Sequence, residues 1–247
     1  MLYNEQRIAV GSGVVAEHSS GQYLITAWHN LSGRNPVDGS VLSRTAAIPN
    51  RVEIEGCYTK IATNLYHGGN DPGVDSPAFA IHPNGPTVDV TAMRLREVGS
   101  IYQSLDVSFL TPSSNTQLPL YVSQTCYIIG FPEGLRHRPV AEVTFPIWKT
   151  GHIASEPAVD FDDQPKLLID ATTRRGMSGA MVIVRKSPKS RFVGIYTGRY
   201  KQSSEIRSLE ELNPNEESNP SFTAELGWVF KSSVINKLIP LAQKCAL

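Results

Sequence analysis

The segment TRRGMSGAMVI, Thr173 to Ile183, sets one serine between two glycines and runs at once into aliphatic residues. Ser178 is either a nucleophile displayed on a tight turn or only a turn residue between two flexible ones. A serine hydroxyl is a weak nucleophile near neutral pH. To attack a carbonyl it needs a base to take its proton and a carboxylate to hold that base in one tautomer. All six histidines, His18, His29, His67, His82, His137 and His152, precede Ser178. A serine–acid–histidine chain order is therefore excluded, and the segment lacks the second glycine of the G-x-S-x-G elbow that accompanies it. An acid–histidine–serine order would need Asp38, Asp71 or Asp75, and none of these lies in a strand-like stretch. The histidine–acid–serine order remains.

His29 is the best base. It follows YLITAW, an apolar run expected to be a core strand, and precedes the turn-forming NLSG. His18 and His67 sit in polar Ser- and Gly-rich segments and His137 lies between two arginines, whereas His82 and His152 have less unfavourable surroundings. Two acids compete. Asp89 in VDVTAMRL and Asp106 in LDVSFL are both flanked by aliphatic residues, so each is expected to be partly buried and in need of a partner.

The elements that must position these groups read as short strands. RIAVGSGVVAE, QYLITAWHN, VDVTAMRL, TCYIIGF, KLLIDAT, GAMVIVR, RFVGIYTGRY and ELGWVF are rich in β-branched and aromatic residues and are separated by Gly, Pro, Asn and Ser clusters. Such spacing predicts an all-β barrel or sandwich rather than a doubly wound sheet. The clearest helix is SSVINKLIPLAQK, with Val234, Ile235, Leu238 and Leu241 on one face, Ser232 or Ser233 as N-cap, and Pro240 expected to kink or stop it. Leu65–Pro77 and Lys201–Ser221 read as long polar loops.

Bulk properties exclude several partners. The 23 basic and 23 acidic residues balance, which gives no support for nucleic acid or an anionic membrane as the main partner. No stretch approaches the ~20 apolar residues of a membrane span. The N-terminal residues lack the pattern of a secretory signal. The three cysteines are odd in number and without metal-ligand spacing, so reduced thiols in a cytoplasm are expected, with Cys126 as a small core residue. The acidic DFDD, Asp160 to Asp163, reads as an exposed turn. A chain of 247 residues without a composition break is expected to form one domain.

GSGVVAEHSSGQYLITAWHNLSG, VDVTAMRL and RRGMSGAMVI, in that order, resemble the chymotrypsin-fold serine peptidases, and most of all bacterial single-domain trypsin-like peptidases. Thr26-Ala27-Trp28-His29 matches the family's T-A-x-H. Asp89-Val90-Thr91-Ala92-Met93 matches its acid-bearing strand, Gly176-Met177-Ser178-Gly179 its G-x-S-G, and Gly194-Ile195-Tyr196-Thr197-Gly198 a later strand edge. The resemblance implies two six-stranded antiparallel β-barrels, roughly residues 1–110 and 111–247, with a short C-terminal helix. It also implies Ser178 as nucleophile, His29 as base and Asp89 rather than Asp106 as acid. The Gly176 and Ser178 N–H groups would form the oxyanion hole, and Thr197 and Gly198 the edge that pairs with a protein or peptide substrate. No metal or organic cofactor is implied.

Two departures carry expectations of their own. Met177 stands where secreted zymogens carry an Asp that pairs with a new N-terminal amine, so control is expected from something other than N-terminal processing, such as a regulatory protein partner or the Lys201–Ser221 loop. Thr172 stands at the base of the primary specificity pocket, where trypsins have Asp, and no carboxylate is expected there, so an uncharged substrate side chain is predicted. A non-catalytic barrel of the same fold, acting as a protein-binding module, is the alternative.

Overall fold

The aliphatic runs form strands because alternate residues reach an interior. In this computed structural model the described residues are 1–55, 60–95, 104–111, 118–135, 137–140, 143–199 and 225–245. In the C-terminal half, β9 (Thr125–Gly130), β12 (Ile147–Ile153), β13 (Lys166–Asp170), β14 (Ala180–Lys186), β15 (Lys189–Arg199) and β16 (Leu226–Lys231) close into an antiparallel barrel in the order β12-β13-β16-β15-β14-β9. Cys126, Ile128, Leu167, Ile169, Val182 and Val229 fill its interior. Burial pushes the Cys126 thiol up to about 12, so it stays protonated and behaves as a small apolar group. A hairpin of β10 (His137–Val140) and β11 (Val143–Phe145) accompanies the barrel.

The N-terminal half is built differently. One sheet has the order β7-β4-β3-β8, from β3 (Val14–His18), β4 (Gly21–Thr26), β7 (Thr91–Leu95) and β8 (Leu105–Asp106), with β8 parallel to β3. A second has the order β2-β1-β5-β6, from β1 (Leu2–Tyr3), β2 (Gln6–Arg7), β5 (Arg51–Glu55) and β6 (Lys60–Asn64). The two sheets share a core of Leu24, Trp28, Leu31, Val52, Leu65 and Phe79. Among the described residues isolated bridges, Arg34↔Val41, Tyr66↔Pro77 and Phe79↔Met93, link residues of this region outside the ladders. The second six-stranded barrel expected from the sequence is therefore not closed among the described residues. Strands β1, β2 and β8 have two residues each, too few to carry a ladder from one sheet to the other.

A third cluster joins the halves, with Ile25 and Ala92 on one side and Ile129, Ile195 and Phe230 on the other. The C-terminal segment enters it as a 3₁₀ turn, Ser232–Val234, followed by a helix, Ile235–Cys245. Val234, Ile235, Leu238, Ile239 and Ala242 are the buried residues, while Leu241 is only half-buried. Neither serine caps: Lys231 precedes the 3₁₀ turn and no side chain bonds there. Pro240 does not stop the helix. It lies on the exposed face, and the buried stripe holds the chain helical past it to Cys245. The other helices are short, α1 (Trp28–Ser32) and α2 (Val107–Leu110), which makes the C-terminal one α3. No helix of the described residues is long and apolar enough to cross a membrane.

Candidate active site

His29 lies in the turn of α1, which begins two residues after β4 ends, so a core strand fixes its position. Asp89 sits in the irregular segment just before β7, the strand paired with β4. That pairing brings them together. The His29 backbone N–H donates to Asp89 Oδ1 at 3.0 Å, and His29 Nδ1 lies 2.7 Å from Asp89 Oδ2. An ionised carboxylate only accepts, so Nδ1 carries the proton and Nε2 is left as the basic nitrogen. Asp89 is 6 % exposed between the buried Val88 and Val90, and the two N–H groups supply the partners a buried carboxylate requires.

Asp106 stands elsewhere. It is exposed, and its carboxylate caps α2 by accepting the Ser108 N–H at 2.7 Å, which lowers its pKa. Among the described residues His29 is the one histidine paired with an acid. His18 Nδ1 lies 2.6 Å from the Ser20 hydroxyl, His67 reaches the Cys245 carbonyl, His137 packs on Phe145, and His152 is exposed. His82 is buried, and desolvation, with Lys237 nearby, holds its imidazole below its usual range.

Ser178 comes from the turn before β14, and it lies against α1: the Asn30 side chain donates to the Ser178 carbonyl at 2.8 Å. Its hydroxyl donates to the Thr197 carbonyl at 3.0 Å. The structure thus joins His29 to Asp89 and ties Ser178 to Asn30, the residue after His29, with the serine hydroxyl turned to strand β15. Both flanking glycines are needed. Gly176 has φ +88° and Gly179 φ +90°. A Cβ at Gly176 would come 2.6 Å from the Phe131 carbonyl oxygen, and one at Gly179 2.0 Å from that of Ser12. Neither the Gly176 nor the Ser178 N–H has an acceptor among the described residues.

Beside the turn, β14 pairs with β15 only as far as Ala180↔Tyr196, whereas β16 continues along Gly198 and Arg199. Among the described residues no strand pairs with the other edge of Gly198 and Arg199, and a Cβ at Gly198 would meet nothing within 4 Å. Thr172 is exposed and donates to Glu225, a carboxylate that sequence reading did not place here, so the premise for an uncharged substrate side chain does not hold. Close by, the Tyr196 hydroxyl bonds the Thr173 hydroxyl and Arg199 donates to the Thr173 carbonyl. Glu225 follows the segment 200–224, and no spacing ties it to Thr172. The Lys201–Ser221 loop lies outside the described residues. In the DFDD turn, Asp160 is paired with Lys231 at 2.7 Å and Asp162 with Lys166 at 3.5 Å.

A glycine-bounded serine thus lies against the helix that carries a histidine oriented by a buried carboxylate. Residues 11–195 match the trypsin-like peptidase domain family, and the chain belongs to it: it is a trypsin-like serine protease. Solved structures similar to it include the Rv3671c protease of M. tuberculosis in its active form, with 12 % identity and a TM-score of 0.47 over 96 % of this chain and 75 % of that one. The protease Anisep of Arthrobacter nicotinovorans is similar at 12 % identity and a TM-score of 0.44, over 94 % of this chain and 88 % of that one. No curated protein sequence matches the chain.

Proposed function

We propose that the protein is a serine endopeptidase in which Ser178, His29 and Asp89 form the catalytic triad. The observation that carries this reading is the doubly bonded His29–Asp89 pair, which leaves Nε2 basic on the helix whose next residue, Asn30, bonds Ser178. Rotation of Ser178 about χ1, from one staggered position to another, would carry its hydroxyl from the Thr197 carbonyl toward Nε2. Ser178 Oγ then attacks the peptide carbonyl as its proton passes to His29. The negative oxygen of the tetrahedral intermediate is held by the Gly176 and Ser178 N–H groups. His29 returns the proton to the leaving amine, and water, activated by the same histidine, releases the acyl group. Loss of one such N–H donor costs ~10²–10³ in rate.

Substrate backbone would add along β15 at Thr197 and Gly198, where β14 no longer pairs with it, taking over the Thr197 carbonyl once the Ser178 hydroxyl turns away. A protein or peptide is therefore the substrate, and cleavage of a protein partner under the control of a regulatory protein in a bacterial cytoplasm is the setting we favour. The buried Met177 supports control by something other than N-terminal processing.

The resting orientation of the Ser178 hydroxyl favours a second reading, a non-catalytic barrel that binds a partner along the same edge. A fluorophosphonate probe separates the two. Covalent labelling of the wild type, lost in Ser178→Ala and His29→Ala, is expected. Absence of labelling in a folded wild type that still binds peptide would favour the binding module.

A further inference from the structure

The Gly176–Gly179 turn must keep two N–H groups aimed outward, although glycine at Gly176 makes a peptide flip cheap. In a trans peptide the C=O and N–H point opposite ways, so whatever holds a carbonyl fixes the N–H of the same unit. The units carrying these N–H groups are each held by one backbone bond: Glu133 N–H to the Arg175 carbonyl at 2.7 Å, and Ala180 N–H to the Met177 carbonyl at 2.9 Å. The units between and after them, Gly176–Met177 and Ser178–Gly179, are held at their N–H ends within the same half, Met177 N–H to the Arg174 carbonyl at 3.2 Å and Gly179 N–H to the Tyr196 carbonyl at 2.7 Å, and at their carbonyls from the other half of the molecule. Ser12 Oγ donates to the Gly176 carbonyl at 2.7 Å and accepts the Phe131 N–H at 2.8 Å. The Ser178 carbonyl takes the Ser12 N–H and Asn30 Nδ2, both at 2.8 Å.

The remaining bonds close the network. Asn30 Nδ2 also donates to Thr26 Oγ1 at 2.9 Å, and Thr26 Oγ1 donates to the Ser12 carbonyl at 2.6 Å. Ser12 and Asn30 are each 5 % exposed, and these bonds use both Asn30 amide protons and both roles of the Ser12 hydroxyl. Met177, also fully buried, supplies no charge to the turn.

We infer that Ser12 and Asn30 are positioning residues: from the half of the molecule that carries His29 they hold the Gly176 and Ser178 carbonyls, in the two peptide units on either side of the one that carries the Ser178 N–H, and so keep the turn in the form that presents both N–H donors to the substrate oxygen. This inference rests on the triad reading above. It makes the donor geometry independent of an N-terminal ammonium, because uncharged buried groups do the holding. It also sets the donors in register with the base, since Asn30 follows His29 directly in α1.

The test is labelling by a fluorophosphonate, whose phosphonyl oxygen occupies the site of the carbonyl oxygen, resolved into its binding constant KI and bond-forming rate kinact. Folded Ser12→Ala and Asn30→Ala, checked by circular dichroism, are expected to lower kinact by ~10-fold or more, with KI within about twofold, given that loss of one donor outright costs ~10²–10³. Ser12→Thr, which keeps the hydroxyl, is expected to recover most of the rate. A purely structural role would lower the melting temperature without this split. The two sites are independent arms, so failure of one variant to fold leaves the other decisive. Unchanged kinact in a folded variant, or a loss confined to KI, overturns the inference. In that event Ser178→Ala still abolishes labelling, and the triad reading stands. A wild type that takes no probe removes the triad reading, and this inference with it.

Discussion

In the C-terminal barrel every strand has a neighbour on both sides, whereas in the N-terminal half β2, β6, β7 and β8 end their sheets among the described residues. Closure satisfies the backbone groups of the barrel within itself. The N-terminal sheets instead complete themselves by packing on each other and on the barrel, and α3 lies against β7. The division of labour follows this difference. Ser178 and the two N–H donors sit on a turn between barrel strands, where small displacements are resisted. His29 and Asp89 sit on the half with open sheets, at the junction of β4 and β7, and the paired carboxylate gives the histidine locally the fixity that the sheet does not supply. The Ser12–Asn30 network spans the junction between the two halves.

This contrast can be broken at several points. The largest effect is expected at the pair that crosses it. Ser178→Ala and His29→Ala should each lower peptide turnover by several orders of magnitude, and the double variant should be little worse, because the groups act as a unit. Asp89→Asn should cost about 10⁴ in kcat, since an amide would favour the wrong histidine tautomer. Steady-state kinetics with a protein or peptide substrate reads both. Equal activity in Asp89→Asn and wild type would remove the triad.

The difference in rigidity itself is sharpened by core truncation. Leu167→Ala, inside the closed barrel, should cost about 2–5 kcal/mol in urea unfolding, because the surrounding ladder cannot collapse onto the cavity. Val52→Ala, on β5 of the open sheet, should cost less, as fewer atoms are removed and its neighbours can relax. Equal costs would show that the open half is as rigid as the barrel.

The smallest effect is expected at Asp106. Its carboxylate caps the four-residue α2 at the surface, and Asn caps about as well, so Asp106→Asn should leave turnover within about twofold and the melting temperature close to that of the wild type. A severe loss of turnover there would mean that the acid was assigned to the wrong residue.

Much of this arrangement was legible in the residues. The all-β class follows from short β-branched runs between turn formers, because alternation is a local property of the chain. The absence of any histidine after Ser178 excludes a serine–acid–histidine order from the residues alone. Gly176 and Gly179 flank the serine in sequence, and positive φ at both is a local demand of the turn. Tertiary structure decided the rest. Asp89 and Asp106 look alike in sequence, each among aliphatic residues, and only the β4–β7 pairing sets one of them on His29 while the other caps a helix at the surface. Closure of one barrel and not the other depended on strand lengths and long-range register. Glu225 reached Thr172, and Ser12 and Asn30 reached the Ser178 turn, across 53, 166 and 148 positions of chain, respectively. A hydrogen bond between such residues carries no periodicity and no spacing. It exists because two halves with separate cores pack on a common face, and that packing is a property of the folded molecule alone.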